Sequence, residues 1–161
     1  MTLLTIIAKM SEGLGKTCAI FFLTLLFSLP LGMIITFLRM SKSKIVSSVT
    51  RFVVAVLRGT PLMLQLLFVY YGLPFIPGIG IRMDDFQAAI FAFVLNYAAY
   101  FCEIFRGGIL SVDKGQYEAA KVLGYSKWQT TTKIVIPQML KVCLPPVSNE
   151  CITLVKDTAL V

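Results

Sequence analysis

Six polar side chains stand inside stretches of the chain that are otherwise apolar. They are Gln65, Asn96, Tyr100, Glu103, Asn149 and Glu150. Amide, phenol and carboxylate groups can bind a polar solute or each other, and burying one in a membrane is costly unless it faces protein or water. Covalent catalysis would need a nucleophile beside a base, and the sequence has no histidine and no convincing set of that kind. These residues therefore predict binding, and we assign no catalytic residue.

Two interpretations of this polar set remain open. Asn96, Tyr100 and Glu103 follow one another at i, i+4 and i+7 and so share one face of a helix. One hypothesis is that the six residues line a path for a polar solute. The other is that they form hydrogen bonds between helices, each worth about 0.6 kcal/mol in membrane bundles. We favour hydrogen bonding for Gln65 and Asn96.

The two glutamates of the set differ in their neighbours along the chain. Glu103 has Arg106 three residues later, which favours an ion pair within one helix. Glu150 is more than two helical turns from Lys141, the nearest cation on the same helix. Glu150 is therefore the best candidate for direct contact with a solute.

The composition is that of a membrane protein. Hydrophobic residues make up 57% of the 161 residues, charged residues make up 14%, and the mean hydropathy is +0.82. Soluble domains are about 45–50% apolar and about 25% charged. Four segments are predicted to span the ~30 Å hydrocarbon core, at residues 17–38, 59–81, 86–102 and 134–155. We predict an all-α fold, a polytopic bundle of membrane helices, whose fourth span bends or opens at Pro145 and Pro146.

The basic charge of the chain, +7 in total, is distributed unevenly. Lysine and arginine crowd the segments between spans one and two and between spans three and four, but not the segment between spans two and three. This alternation follows the positive-inside rule, places the amino terminus outside the cytoplasm, and accounts for the charge without a nucleic-acid partner. The four cysteines lie in apolar segments as small hydrophobic residues, and without histidine we predict no metal site and no cofactor.

A second pattern lies in the lysine-rich stretch 111–137, between spans three and four. Its members are Glu118, Ala119, Ala120, Gly124, Ile134 and Pro137. On a helix the small residues of this set share one face, which would let another surface approach the backbone closely. Gly124 suits the left-handed position that ends a helix. Periodicity alone does not decide between a surface bound by a partner protein and a turn that packs on its own bundle.

The spacing of this second set resembles the EAA loop of ATP-binding-cassette (ABC) importer permeases. Further motifs resemble the polar amino-acid uptake branch of that family, the histidine/glutamine-type permeases, and occur in the same order. They are Arg58-Gly59-Thr60-Pro61-Leu62 with Gln65, residues 103–109, Lys114-Gly115-Gln116, Pro145-Pro146 with Asn149-Glu150, and Val155-Lys156-Asp157-Thr158. The resemblance covers residues 13–161.

The resemblance implies an ABC transporter permease domain over residues 1–161, with 111–137 as its coupling-loop region. It implies a multi-pass subunit of the bacterial inner membrane that moves amino acids without changing them, while a separate subunit hydrolyses ATP. The implied partners are ATPase subunits bound at the EAA helix, a second permease subunit and an extracytoplasmic amino-acid-binding protein. The resemblance also implies a fifth span after the Lys-Asp-Thr stretch, so we expect the domain to be incomplete at its carboxyl terminus.

One alternative comes from a different class of transporter. An ion-coupled secondary transporter would need a carboxylate within the membrane as its ion site, and Glu150 or Glu103 could serve. That interpretation leaves the spacing of residues 118–137 unexplained.

Overall fold

The computed structural model describes residues 3–76 and 82–160, with side chains from residue 10 onward. Its helices are α1 (Leu3–Arg39), α2 (Lys44–Gly59), α3 (Leu62–Leu67), α4 (Asp85–Leu110), α5 (Lys114–Val122), α6 (Lys127–Thr130) and α7 (Ile136–Asp157). A π-helical turn (Phe68–Gly72) and a 3-10 turn (Leu73–Phe75) continue α3, a second π-helical turn (Thr131–Val135) joins α6 to α7, and a 3-10 turn (Thr158–Leu160) follows α7. The described residues contain no strand, so the prediction of an all-α fold is confirmed.

Helices α1 and α4 pack closely and run in the same direction. The face of α1 that meets α4 has small or hydroxyl side chains at every fourth residue, all of them buried: Thr24, Ser28, Gly32 and Thr36. The Thr36 hydroxyl lies 3.1 Å from the carbonyl oxygen of Cys102. A Cβ atom added at Gly32 would lie only 2.8 Å from that of Phe101. Small residues thus allow the two backbones to approach, as is typical of helix pairs in membranes.

The chain between α1 and α4 must return across the bundle, because those two helices are parallel. Helices α2 and α3 lie on this return, and the chain direction bends by 106° at the break between them. Among the described residues, Met10–Arg39 and Asp85–Leu110 are the two helices long and apolar enough to cross a membrane alone. The α2–α3 pair is a third crossing if it is counted as one bent span. The predicted second span has its start at this bend, and its predicted end at residues 77–81 lies outside the described residues.

The predicted number of four spans is not confirmed. Helix α7 is 22 residues long, but polar residues such as Glu150 interrupt it and it is not apolar enough to count as a span. Of the two alternatives predicted at Pro145 and Pro146, a bend or an opening, the opening is wrong, because helical structure continues through both prolines. Buried residues on both sides of the prolines, Cys143 and Leu154, anchor the two halves of α7 in the core.

Helix α4 is the central helix of the described bundle, with α1, α2, α3 and α7 packed around it. Its aromatic side chains Phe93, Tyr97, Phe101 and Phe105 are buried in the core. Helix α7 runs antiparallel to α4, and at Gly108 the two helices are so close that an added Cβ would collide with the Cys143 side chain. Polar residues on successive turns of α4 therefore face different neighbouring helices.

Candidate functional site

A cavity of 530 Å³ opens where α2 ends and α3 begins, beside α4 and α7. Its described lining residues come from the break between α2 and α3 (Arg58 to Met63), from α4 (Asn96, Tyr97 and Tyr100), and from the end of α7 (Glu150, Thr153, Asp157 and Leu160). Thr60 and Pro61 have extended backbone at this break. Because the helix is interrupted here, polar groups face a space that one continuous helix would occupy.

The cavity carries charges of both signs. The Arg58 guanidinium lies 5.0 Å from the centroid of the Tyr100 ring, and its charge attracts that of Glu150. Across the cavity the Tyr97 hydroxyl donates a hydrogen bond of 2.7 Å to Oδ2 of Asp157. Opposite charges in one cavity suit a small zwitterionic solute, because each of its charged groups can find a partner when it leaves water. In the described part of the chain no three His, Cys, Asp or Glu residues converge as metal ligands.

Three of the six predicted polar residues line this cavity: Asn96, Tyr100 and Glu150. Gln65 lies beside it. Asn96 Nδ2 donates to Gln65 Oε1 at 3.0 Å, and Gln65 Nε2 donates to the Leu57 carbonyl oxygen at 2.7 Å. These contacts join α2, α3 and α4, and they match the hydrogen-bonding interpretation of Gln65 and Asn96.

The other two predicted residues lie elsewhere. Asn149 is exposed and is not among the lining residues of the cavity. Glu103 forms the predicted pair with Arg106, whose Nε and Nη2 atoms both lie 3.0 Å from Oε2. The other carboxylate oxygen pairs with Arg39 of α1, and Arg58 Nη1 lies 3.9 Å from it. Glu103 thus joins three helices and does not line the cavity.

The predicted site omits ten of the described lining residues, among them Arg58, Tyr97 and Asp157, which carry charge or the hydrogen bond between α4 and α7. Arg58 precedes Gly-Thr-Pro, a sequence that signals a break in a helix. Asp157 follows Glu150 by seven residues, which is the spacing of one helix face. Both signals are present in the sequence. Tyr97 has no such signal, because it stands in a run of aromatic core residues.

Helix α5 has a defined beginning and end. The carboxylate of Asp113 caps its first turn by accepting a hydrogen bond of 2.6 Å from a backbone N–H two residues later. At its end Tyr125 N–H donates to the Ala120 carbonyl at 3.0 Å, and Gly124 N–H donates to the Lys121 carbonyl at 3.1 Å. Gly124 has φ 76°. This is a Schellman motif, and the left-handed conformation predicted for Gly124 is confirmed.

The side chains of α5 and its terminal turn divide into a buried and an exposed set. Ala120 is completely buried, whereas Ala119 and Gly124 are exposed. Val122 and Leu123 are 87% and 71% exposed. The prediction that the small residues form one exposed face is therefore wrong, because Ala120 is buried while Ala119 and Gly124 are exposed. A helix that lies against the bundle must bury one side, and the 100° turn between successive residues places Ala119 outside that side.

A second short helix leads from α5 into α7. Ser126 begins α6 in a capping box with Gln129, in which each side chain bonds the other residue's backbone N–H. Trp128 follows and is 76% exposed. Together with Val122 and Leu123 it gives the stretch between α4 and α7 an exposed apolar surface.

The remaining residues of the second predicted set connect this stretch to the bundle. Ile134 is half-buried in the π-helical turn, and Pro137 is exposed in the first turn of α7. Gln138 Nε2 donates to Gln116 Oε1 at 3.3 Å and so ties α7 to α5. Burial raises the pKa of the Tyr117 phenol, a group that is neutral at physiological pH even without this shift.

Apolar helices long enough to cross a membrane, a polar cavity beside α4 and a short exposed helix at one end are features of a polytopic transport protein of the membrane. A family model described as "Binding-protein-dependent transport system inner membrane component" matches residues 28–161. The chain belongs to this family.

Individual relatives are permeases of amino-acid ABC transporters. The probable amino-acid ABC transporter permease protein YckA of Bacillus subtilis (strain 168) is 38% identical over 149 residues, which are 92% of this chain and 65% of YckA. The arginine transport system permease protein ArtQ of the same strain is 41% identical over 150 residues, 93% of this chain and 68% of ArtQ. The crystal structure of an amino acid ABC transporter with histidines matches with a TM-score of 0.82 and 33% identity, over 99% of this chain and 75% of that chain. The chain thus spans about two thirds of the length of YckA.

These comparisons decide between the two classes of transporter. The relatives and the structural neighbour are ABC permeases, so the alternative of an ion-coupled secondary transporter is not supported. The relatives are permease subunits, which are not themselves enzymes.

Proposed function

We propose that this chain acts in the permease subunit of an ATP-driven importer that moves amino acids across the inner membrane. The observation that carries the proposal is the exposed helix α5, closed by the turn at Gly124 and placed between two helices that hold a polar cavity. The relatives support amino acids as the class of solute, because YckA and ArtQ are named for them. The chain would bias conformational states and make no covalent change in the solute.

Helix α5 would supply the surface on which an ATPase subunit docks. Val122, Leu123 and Trp128 expose apolar area that a partner could bury. The proposed coupling set stays Glu118, Ala119, Ala120, Gly124, Ile134 and Pro137, within residues 111–137. Since Ala120 is buried and Ile134 is half-buried, these two would hold α5 in place while their exposed neighbours touch the partner. The link between Gln116 and Gln138 would pass a displacement of α5 into α7.

The proposed complex has further members and a definite orientation. A second permease subunit and an extracytoplasmic amino-acid-binding protein would complete it. The family description, a binding-protein-dependent transport system, supports the binding protein. The basic residues around α2 and α5 favour the cytoplasm for that end of the bundle, which puts the amino terminus outside. Membrane lipid would cover exposed apolar side chains of α1 such as Phe22 and Leu26.

The cavity between α2, α3, α4 and α7 would form part of the translocation path. Arg58 offers a partner for a carboxylate, and Glu150 offers one for an ammonium group. From the predicted set, Asn96 and Tyr100 would contact the solute beside Glu150. Gln65, Glu103 and Asn149 would act on the path only indirectly, because they do not line this cavity.

Replacing Glu150 by glutamine is expected to weaken solute binding. A hydrogen bond to a charged group is worth about 1.5–3 kcal/mol, so the apparent KM for uptake should rise roughly ten- to hundred-fold. The measurement is the initial rate of uptake of labelled L-arginine, L-histidine and L-glutamine by proteoliposomes that contain the complete transporter. Ser148→Ala, an exposed change on the same helix, should leave KM unchanged. Equal KM values in Glu150→Gln and wild type for all transported solutes would remove Glu150 from the path.

Replacing Gly124 by valine is expected to reduce binding of the ATPase subunit. A residue with a Cβ pays about 1–2 kcal/mol in the left-handed conformation, so valine should distort the turn that ends α5. The measurement is the amount of ATPase that co-purifies with the permease in mild detergent.

Gly124→Asn is the matched control for that experiment, because asparagine tolerates the left-handed conformation. We expect the asparagine variant to retain most of the ATPase. Full retention by the valine variant would exclude Gly124 from docking.

The class of transporter is tested by its energy source. Uptake into proteoliposomes should require ATP on the side of α5 and should persist when the proton gradient is dissipated. Uptake without ATP that stops with the gradient would overturn the proposal.

A further inference from the structure

A pocket of 510 Å³ lies at the end of the bundle from which α5 begins, apart from the proposed translocation path. Its described lining residues are Arg39, Met40, Arg51, Arg106 and Leu110. An adjoining pocket of 340 Å³ shares Arg51 and adds Lys42, Lys44 and three serines. Neither pocket has a carboxylate among these lining residues.

The arginines at this end of the bundle are more numerous than the carboxylates that could neutralise them. Glu103 uses both of its oxygens on Arg39 and Arg106. Arg51, Arg58 and Arg106 all repel Arg39 electrostatically. The Arg51 side chain has no ion pair or hydrogen bond with any other described residue. The pocket therefore keeps an excess of positive charge.

Two of these arginines are already held in position. The side chains of Arg39 and Arg106 are 14% and 34% exposed, and both are fixed by Glu103. A guanidinium group presents several N–H donors in a rigid plane and can bind a phosphate through two of them at once. Arg51 is exposed and free to complete the site from α2. This arrangement fits a phosphate group better than it fits a monovalent halide.

An exposed apolar stripe runs along the neighbouring face of α2, and its member nearest to Arg51, Phe52, lies about 100° around the helix from it. The stripe consists of Ile45, Val49 and Phe52, which are 77%, 58% and 71% exposed and follow one another at i, i+4 and i+7. In the pocket itself Leu110 is 62% exposed. A free phosphate ion would leave these apolar side chains uncovered. A phospholipid would cover both surfaces, with its headgroup on the arginines and an acyl chain along the stripe.

We infer that the pocket of Arg39, Arg51 and Arg106 binds the phosphate of an anionic phospholipid whose acyl chain lies along the apolar stripe of α2. The inference does not depend on the solute that the transporter carries. Arg39, Arg51 and Arg106 would then bind a specific lipid group, in addition to favouring the cytoplasmic side of the membrane.

The test measures lipid binding to the complete detergent-purified transporter by native mass spectrometry, with dioctanoyl phosphatidylglycerol and dioctanoyl phosphatidylcholine as probes. Wild type should favour phosphatidylglycerol. Arg51→Gln should lower the affinity for phosphatidylglycerol on the order of five-fold, the usual effect of one basic residue at a lipid surface. Arg51→Lys should keep most of the preference. Lys141→Gln, which removes an exposed lysine of α7 outside both pockets, should leave it unchanged.

Four results would overturn the inference. The first is equal binding of the two lipids by wild type, and the second is an unchanged preference in Arg51→Gln. The third is competition by soluble glycerol 3-phosphate at concentrations equal to those of the lipid, which would identify a free phosphate ester as the ligand. Loss of the preference in Arg51→Gln together with a lowered melting temperature in the absence of lipid would also count against it, because Arg51 makes no contact that folding requires.

Discussion

Valine at position 32 is expected to separate α1 from α4 and to destabilise the bundle by about 3 kcal/mol or more, at the upper end of what overpacking costs. A Cβ atom on Gly32 would lie 2.8 Å from Phe101 Cβ, 3.1 Å from the Ala98 carbonyl oxygen and 3.3 Å from the Cys102 backbone nitrogen. Two of these three atoms belong to the backbone of α4 and cannot move by a change of rotamer. The helices must therefore move apart.

The measurement is the melting temperature of the purified protein in detergent, together with its elution as a single species in size-exclusion chromatography. Gly107→Val is the matched control, since a Cβ at Gly107 meets nothing within 4 Å. Gly32→Ala should fall between the two, because it adds the clashing atom without the branched methyl groups. If the Gly32→Val and Gly107→Val proteins have the same melting temperature, α1 and α4 are not in close contact.

Contacts across the α1–α4 interface illustrate which parts of the fold can be predicted from sequence. The apolar length of α1 and α4 predicts helices at 17–38 and 86–102, and the structure has both, extended at their ends to Arg39 and Leu110. Hydropathy carries no information on which helix is the neighbour. The sequence shows small or hydroxyl residues at positions 24, 28, 32 and 36, but only the structure shows that this row packs against α4.

In this chain, contacts between residues close in sequence are easier to predict than contacts between residues far apart in sequence. The left-handed turn at Gly124 and the pair of Glu103 with Arg106 depend on residues within a few positions of each other. The ion pair of Glu103 with Arg39 joins residues 64 positions apart and has no local signal. The same limit applies to the cavity, which Arg58 lines together with α7 beside the 106° bend between α2 and α3.

The fourth predicted span shows where hydropathy misleads. Residues 134–155 are apolar enough on average to suggest a crossing, but the helix that forms there begins at Ile136 and has polar residues on the face that lines the cavity. A helix that contributes Glu150, Thr153 and Asp157 to a polar cavity cannot be apolar all round. The polar residues with which α7 lines the cavity are therefore the ones that weaken its signal as a span.

Replacing Glu103 by glutamine is expected to destabilise the protein by about 3–5 kcal/mol, the usual cost of removing one partner of a buried ion pair. The side chains of Glu103 and Arg39 are 17% and 14% exposed. Without the carboxylate, Arg39 and Arg106 would stand side by side in a poorly hydrated place with no negative charge between them. Glu12→Gln is the control, because Glu12 pairs with Lys16 at 3.2 Å while both side chains are about two thirds exposed. An exposed pair of this kind contributes at most about 1 kcal/mol.

The decisive comparison is between the single variant and a double variant in which Arg39 is also replaced by methionine. If the loss in Glu103→Gln arises from uncompensated charge, Arg39→Met should restore part of the melting temperature, because an apolar side chain needs no partner when it is buried. If the loss arises from the shape of the glutamate side chain, the double variant should melt no higher than the single one. A single variant as stable as wild type would mean that water or lipid already neutralises Arg39. In that case the connection between α1, α2 and α4 would rest on the close packing at Gly32 and on the amides of Gln65 and Asn96.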